Sequence, residues 1–159
     1  MKIRTGIGLD VHRFVNGRDF ILGGVTIPHI LGLDGHSDAD ALIHALIDAL
    51  HGAAGLKDIG TYFPDTDKQY KNISSKLLLQ KTNELIINRK FEIGNIDVVV
   101  CLQEPKIAPY IDEMKLTISD ILHVSTDDIS IKATTFEHMG FVGEGEGILC
   151  IANVLLTQS

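Results

Sequence analysis

The stretch DADALIHALIDALHGAAG, Asp38–Gly55, decides how the rest of the chain reads. Leu42, Ala45, Leu46, Ala49 and Leu50 recur at helical spacing, so the segment predicts an α-helix with one apolar face. Ser37 or Asp38 is a suitable N-cap, and Gly52 or Gly55 a suitable stop. Upstream, residues 2–14 read as a strand, VNGRD as a turn and FILGGVTI as a second strand, so these two are expected to form a hairpin. The glycine-rich HILGLDGHSDAD leads into the helix. Downstream, LKDIGTYFPDTDKQYKN is long for a connection, and long connections tend to be functional. ISSKLLLQKTNELIINRK predicts a second helix and FEIGNIDVVVCLQ contains a strand. Pro105 suits the first turn of a third helix over PKIAPYIDEMKLTISDILH. DISIKATT and GILCIANVLL close the chain as strands, joined by FEHMGFVGEGE.

Strands and helices interleave, which predicts an α/β (α+β) fold: a mixed sheet with helices on one face, and an N-terminal hairpin. The last strand is apolar on both faces, and a subunit interface is one way to cover the second. With 159 residues, 45% hydrophobic and 22% charged, and no linker or repeat, one soluble domain over 1–159 is expected. No apolar run reaches the roughly 20 residues of a membrane span. The N-terminus carries no secretory or transit pattern, so a bacterial cytoplasm is expected ahead of a plastid. A net charge of −7 argues against general nucleic-acid binding. A phosphorylated small molecule stays open, provided local positive charge or a metal ion receives it. Cys101 and Cys150 lie in apolar runs without metal-ligand or disulfide spacing and read as buried thiols.

Asp10 and His12 are two apart in the first strand and therefore share a face. They are either a surface pair or two ligands of a metal site, and carboxylate with imidazole suits zinc. Asp40, His44, Asp48 and His51 form a stripe opposite the leucines of the helix. His44 is either a third ligand or part of a solvated face; His51 reads as solvated. His36 and Ser37 stand where helix amides point outward and favour a phosphate, or Ser37 simply caps. FPDTD, with Asp65 and Asp67, reads as a turn from composition. Lys132, Thr134 and Thr135 end a strand and can bind phosphate, although threonine is also simply common in strands. Glu137 offers a carboxylate for Mg²⁺ beside substrate phosphates.

The blocks GLDVHRF, ILGGVTIP, GHSDADALIHALIDALHGAAGLKDIGTYFPDTD, PKIAPYI and IKATTFEHMGFVGEGEGI occur in order along nearly the whole chain. In them the sequence closely resembles the 2-C-methyl-D-erythritol 2,4-cyclodiphosphate synthase family. The resemblance implies a ferredoxin-like homotrimer with active sites between subunits. It implies cyclisation of 4-diphosphocytidyl-2-C-methyl-D-erythritol 2-phosphate with release of CMP, in non-mevalonate isoprenoid biosynthesis. Zinc would fall on Asp10, His12 and His44, and Mg²⁺ or Mn²⁺ on Glu137. His36 and Thr135, with Asp10 and Lys132, would carry catalysis. Ser37, Asp58, Ile59 and Gly60 would face the methylerythritol phosphate, with Phe63, Pro64, Asp65, Thr66 and Asp67. Leu102, Gln103, Glu104, Pro105, Lys106, Ile107 and Ala108 would face the cytidine diphosphate. Lys132, Ala133, Thr134 and Thr135 would join them, and Asp10, Val11, His12, His36, Phe136, Glu137 and Phe141 would also contact the substrate. Glu144 stands where the family commonly has an arginine near the threefold axis, and Leu9 where an aromatic is usual. Three glutamates there would disfavour an anion at the trimer centre. Other readings on the same scaffold are a zinc-dependent phosphoesterase using water and a catalytically inactive trimeric binding protein.

Overall fold

The computed structural model describes residues 1–159. Strand β1 (Lys2–Val15) is followed by β2 (Phe20–Leu22), β3 (Val25–Ile27), β4 (Gly32–Leu33) and helix α1 (Ala41–Ala53). Then come α2 (Ile59–Tyr62), α3 (Ser75–Asn88), β5 (Glu92–Cys101) and α4 (Ile111–Leu122). The chain ends with β6 (Ile129–Thr134), α5 (Gly140–Gly143) and β7 (Gly147–Gln158). Five strands form one mixed sheet in the order β4-β1-β7-β5-β6, with β5 and β6 parallel and the other pairs antiparallel. No helix is long and apolar enough to cross a membrane.

The expected pairing of residues 2–14 with 20–27 does not occur. β1 pairs with β7 and β4, and FILGGVTI folds on itself as the β2–β3 hairpin. Gly23 and Gly24 form its two-residue loop, both at positive φ (58° and 74°), as a tight hairpin turn requires. The turn is anchored by Asp40, whose carboxylate accepts from Gly23 N at 2.9 Å and Gly24 N at 2.7 Å.

Asp40 also corrects the start of α1. Its side chain accepts from Ile43 N at 3.0 Å, so Asp40, not Ser37 or Asp38, is the N-cap. The carboxylate is fully buried, which pushes its pKa up to about 6, against the lowering effect of those three amides. At the other end the helix stops before Gly55, at φ 70°, while Gly52 is helical. Leu42, Ile43, Leu46, Ile47 and Leu50 are fully buried, each worth about 1.5–3 kcal/mol of transfer free energy. The helix lies on β1 and β7 because β1 presents Gly6 and Gly8 to it. A Cβ at either position would meet α1 backbone at 2.0 Å or less.

Two further expectations change. The third helix begins at Ile111, not Pro105, because Pro109 removes an amide and restricts Ala108. His51 is buried, not solvated: its ring nitrogens sit 3.1 Å from the Lys57 carbonyl and 3.2 Å from Thr82 Oγ1, and burial lowers its pKa. The long connection after α1 contains α2 and a short 3₁₀ turn at Lys68–Tyr70. Both cysteines are buried and free.

The helix-bearing face of the sheet is filled by Val98, Val100, Ile148, Cys150, Ala152 and Val154. Its other face is uncovered and apolar: Ile3, Ile7, Leu9 and Val11 are exposed, Ile7 at 70%.

Candidate active site

β1 carries Asp10 and His12 toward α1, and α1 carries His44 toward β1. Asp10 Oδ2 lies 2.8 Å from His12 Nε2 and 3.2 Å from His44 Nδ1, and the two nitrogens are 3.3 Å apart. Three ligand-type atoms thus form one small triangle, partly buried. Burial disfavours the Asp10 carboxylate, but its hydrogen bonds to His12 and His44 outweigh that and hold its pKa below the usual value. Burial likewise disfavours the charged form of His12, and the Asp10 carboxylate outweighs it, raising the pKa. His12 Nδ1 is 2.6 Å from the carbonyl of Asp34, so Nδ1 keeps its proton and Nε2, which donates to Asp10 when protonated, is the nitrogen free to take a metal. This donor set suits a divalent metal ion.

A cavity opens beside the triangle. It brings together Asp10, His12, His36, Ser37 and His44 with Ile59, Gly60, Phe63 and Asp65 of the long connection. Asp48 anchors that connection by accepting from Ile59 N at 2.7 Å. Asp58 is exposed and caps α2; Asp67 caps the 3₁₀ turn while its carbonyl stands 3.4 Å from His36 Nε2. Pro64 and Thr66 do not line the cavity. The expected open helix amides at His36 and Ser37 are absent. α1 starts later, and the amides of Ala39, Asp40 and Ile43 are taken by the side chains of Ser37, Asp38 and Asp40.

The second group of expected residues lies elsewhere. Leu102, Gln103, Pro105, Lys106, Ile107, Ala108, Ala133, Thr134 and Thr135 line a separate cavity at the ends of β5 and β6. Glu104 and Phe136 do not line it. Glu137 is exposed, its carboxylate 3.3 Å from Thr135 Oγ1. Lys132 points to the uncovered sheet face, where Asp97 holds its Nζ at 2.7–2.8 Å. Val11 and Phe141 line a third hollow with His12, Arg13 and Glu146.

The sequence reading missed several residues at the first cavity. Gly35, Tyr70, Ile73 and Leu78 complete its walls. Arg18 donates to the carbonyls of Gly35 and Ser37, bracketing His36. No spacing rule links residue 18 to 36; an arginine in a turn otherwise rich in small residues was the only signal.

The family model described as the YgbB family matches residues 3–157. A curated 2-C-methyl-D-erythritol 2,4-cyclodiphosphate synthase of Natranaerobius thermophilus is 54% identical over 156 residues, covering 98% of this chain and 99% of the relative. This chain belongs to that family. Among solved structures, the bifunctional IspDF of Campylobacter jejuni superposes with a TM-score of 0.95 at 42% identity; the match covers 99% of this chain and 43% of that one. The Plasmodium falciparum IspF, solved as a CDP complex, superposes with a TM-score of 0.87 at 35% identity, over 99% of this chain and 97% of that one. The synthase fold therefore extends over the whole chain, mixed sheet and single helical layer included.

Proposed function

We propose that residues 1–159 act as one cyclodiphosphate synthase domain. The reaction converts 4-diphosphocytidyl-2-C-methyl-D-erythritol 2-phosphate to 2-C-methyl-D-erythritol 2,4-cyclodiphosphate and CMP, a phosphorus–oxygen lyase reaction of isoprenoid precursor biosynthesis. The observation that carries this reading is the Asp10–His12–His44 triangle at the mouth of a cavity walled by His36, Ser37, Phe63 and Asp65. Asp10, His12 and His44 would hold zinc, since their ligand atoms, 2.8, 3.2 and 3.3 Å apart, are close enough to converge on one ion beside the cavity.

A 2-phosphate oxygen of the substrate attacks the β-phosphorus, a new P–O–P bond forms, and the bond from that phosphorus to the α-phosphate oxygen breaks, releasing CMP. The substrate supplies its own nucleophile, so the chain needs no Ser or Cys for the purpose. Its task is to fold a flexible molecule into line and to meet the developing charge. Bound zinc, with Mg²⁺ or Mn²⁺ at Glu137, supplies Lewis-acid stabilisation of phosphate charge. Ser37 Oγ accepts from Ala39 N at 3.2 Å and retains its own proton for a phosphate oxygen. His36, bracketed by Arg18, presents its ring to the same side. Ile59 and Phe63 exclude water from the reacting phosphates, which disfavours hydrolysis.

The reading also accounts for two cavities in one chain. Asp10, Cys150, Val100 and Ala133 stand in one cross-strand row. Three strand spacings of about 4.8 Å set Asp10 and Ala133 roughly 14 Å apart, too far for one diphosphate. A second copy packed on the uncovered face of β1 and β7 would bring its Thr134, Thr135 and Lys106 to this chain's triangle. We infer a homotrimer with active sites between subunits, its interface covering Ile3, Ile7, Leu9 and Val11. The test is to incubate the zinc- and magnesium-loaded protein with the cytidine substrate and identify products by mass. Cyclodiphosphate with equimolar CMP is expected; a linear hydrolysed phosphate would refute the reading.

A further inference from the structure

His44 makes a second set of contacts away from the triangle. Its Nε2 lies 2.8 Å from Ser75 Oγ, and Ser75 Oγ is hydrogen-bonded to Asp38 Oδ1. Ser75 is fully buried and is the first residue of α3. We propose that Asp38 and Ser75 are positioning residues: a carboxylate–hydroxyl–imidazole relay that fixes the orientation and tautomer of His44 and strengthens it as a metal ligand. The proposal rests on reading Asp10, His12 and His44 as the ligand set.

The direction of each proton follows from the donors. A carboxylate only accepts, so the Ser75 hydroxyl donates to Asp38. With its proton committed, Ser75 Oγ accepts from His44 Nε2–H. With a metal in the triangle, the Nδ1 lone pair would point to it from beside Asp10 Oδ2, 3.2 Å away, and His12 Nε2, 3.3 Å away. Ser37 Oγ, 3.1 Å from the same Nε2, already accepts from Ala39 N and is the weaker partner. His12 is oriented by a neutral backbone carbonyl, that of Asp34. His44 alone is backed by a full negative charge, passed on through a hydroxyl. Partners of this kind raise ligand basicity and restrict the ring.

The same carboxylate ties the ligand to the cavity wall. Asp38 Oδ2 accepts from Ser75 N at 2.9 Å, which caps α3, whose own N-cap Ser74 makes no side-chain bond. Asp38 N donates to Ile73 O at 3.1 Å, and Asn72 N to His36 O at 2.8 Å. Asp38 therefore fastens the C-terminal root of the 58–72 connection to the segment that carries His36 and leads to His44. No local spacing links residue 38 with residue 75; the fold alone joins them.

The test compares wild type, Ser75→Ala and Asp38→Asn as full-length proteins. Zinc affinity is measured by competition with a chromogenic chelator, and the His44 Nε2–H bond to Ser75 in the zinc-loaded protein by proton exchange in ¹H–¹⁵N NMR of the imidazole. Ser75→Ala keeps the cap on α3, since that bond uses the backbone amide, so folding is preserved. Wild type is expected to bind one zinc per chain and to show a slowly exchanging His44 Nε2–H. Both variants are expected to lose about 10- to 100-fold in zinc affinity, and Ser75→Ala to exchange that proton faster. A purely structural role would lower the melting temperature of Asp38→Asn while leaving affinity and exchange unchanged, and that result would overturn the relay. Ser75→Ala within twofold of wild type would overturn it as well. Wild type that binds no zinc would overturn the ligand reading, and the relay with it.

Discussion

Gly8→Ala isolates the contact that sets the metal triangle. The Cβ it adds would lie 1.9 Å from the carbonyl oxygen of Ala45 and 2.7 Å from the amide of Ala49. A methyl carbon needs about 3.4 Å from such atoms, so α1 must move away from β1 by roughly 1.5 Å. These are backbone atoms of a regular helix, and no side-chain rotation relieves them. Alanine recovers about 0.5–1 kcal/mol of backbone entropy over glycine. Overpacking of a tight core costs about 1–3 kcal/mol, and a backbone clash of this depth belongs at the upper end. The net expectation is a loss of about 2 kcal/mol.

Function suffers more than stability, because Asp10 and His12 ride on β1 and His44 on α1. Opening the triangle by even 1 Å, against edges of 2.8–3.3 Å, exceeds the roughly 0.2 Å tolerance of zinc bond lengths. Urea unfolding and zinc content per chain are the assays. Gly52→Ala is the control: it is helical, and its Cβ would stand 3.9 Å from the nearest atom, Ile7 O. That variant should gain about 0.5–1 kcal/mol and keep its zinc. Gly8→Ala with one zinc per chain at unchanged affinity and an unchanged urea midpoint would refute the role given to this contact.

Asp10→Asn and His44→Ala should abolish zinc retention and turnover while circular dichroism reports a folded protein; either variant with full zinc and activity would remove that residue from the ligand set. Zinc affinity should fall as pH drops through the raised pKa of His12, because a proton on Nε2 competes with the metal. The metal-free protein should behave oppositely: the Asp10–His12 pair contributes stability that is present below the unfolded histidine pKa of about 6.5 and lost as pH rises through the raised folded value. Chelator titrations and urea midpoints across pH 5–9 check both signs. Arg18→Ala should release the carbonyls of Gly35 and Ser37 and lower kcat/KM by about tenfold through His36, with zinc affinity unchanged; steady-state kinetics beside a zinc titration separates the two.

What the sequence revealed depended on distance along the chain. The helix over 41–53 was legible because its apolar residues repeat locally, and the Asp10–His12 pair because strand faces alternate. Gly23–Gly24 was visible as a pair of glycines, yet the first strand was matched to the wrong partner. Its true neighbour, β7, lies more than a hundred residues away, and no local pattern encodes that pairing. His51 was misread because its stripe is polar by composition. Packing of α3 on α1 buries it, and Thr82 receives its ring nitrogen. Pro105 drew the eye as a helix start, while Pro109 decided it. At the site, spacing left Asp10, His12 and His44 as metal ligands or surface residues and the family resemblance decided between them, but their supports came from elsewhere. Asp34, Arg18 and Ser75 act through carbonyls, a guanidinium fork and a buried hydroxyl, none of which leaves a periodic trace.

The composition of the ligand set bears on the charge problem of an acidic chain that receives a polyanion. With a net charge of −7, the chain cannot attract a triply phosphorylated substrate through its overall field. One carboxylate and two neutral imidazoles around a dication leave a net charge of +1 at the mouth of the cavity. A second carboxylate in place of His44 would still bind metal but would cancel that charge. The relay behind His44 resolves the conflict between a strong ligand and a positive site. Asp38 lends basicity to the imidazole while its own negative charge stays one hydroxyl further back, occupied by the amides of Asp40 and Ser75. The charge that strengthens the metal bond is thus kept away from the phosphates that the metal must hold.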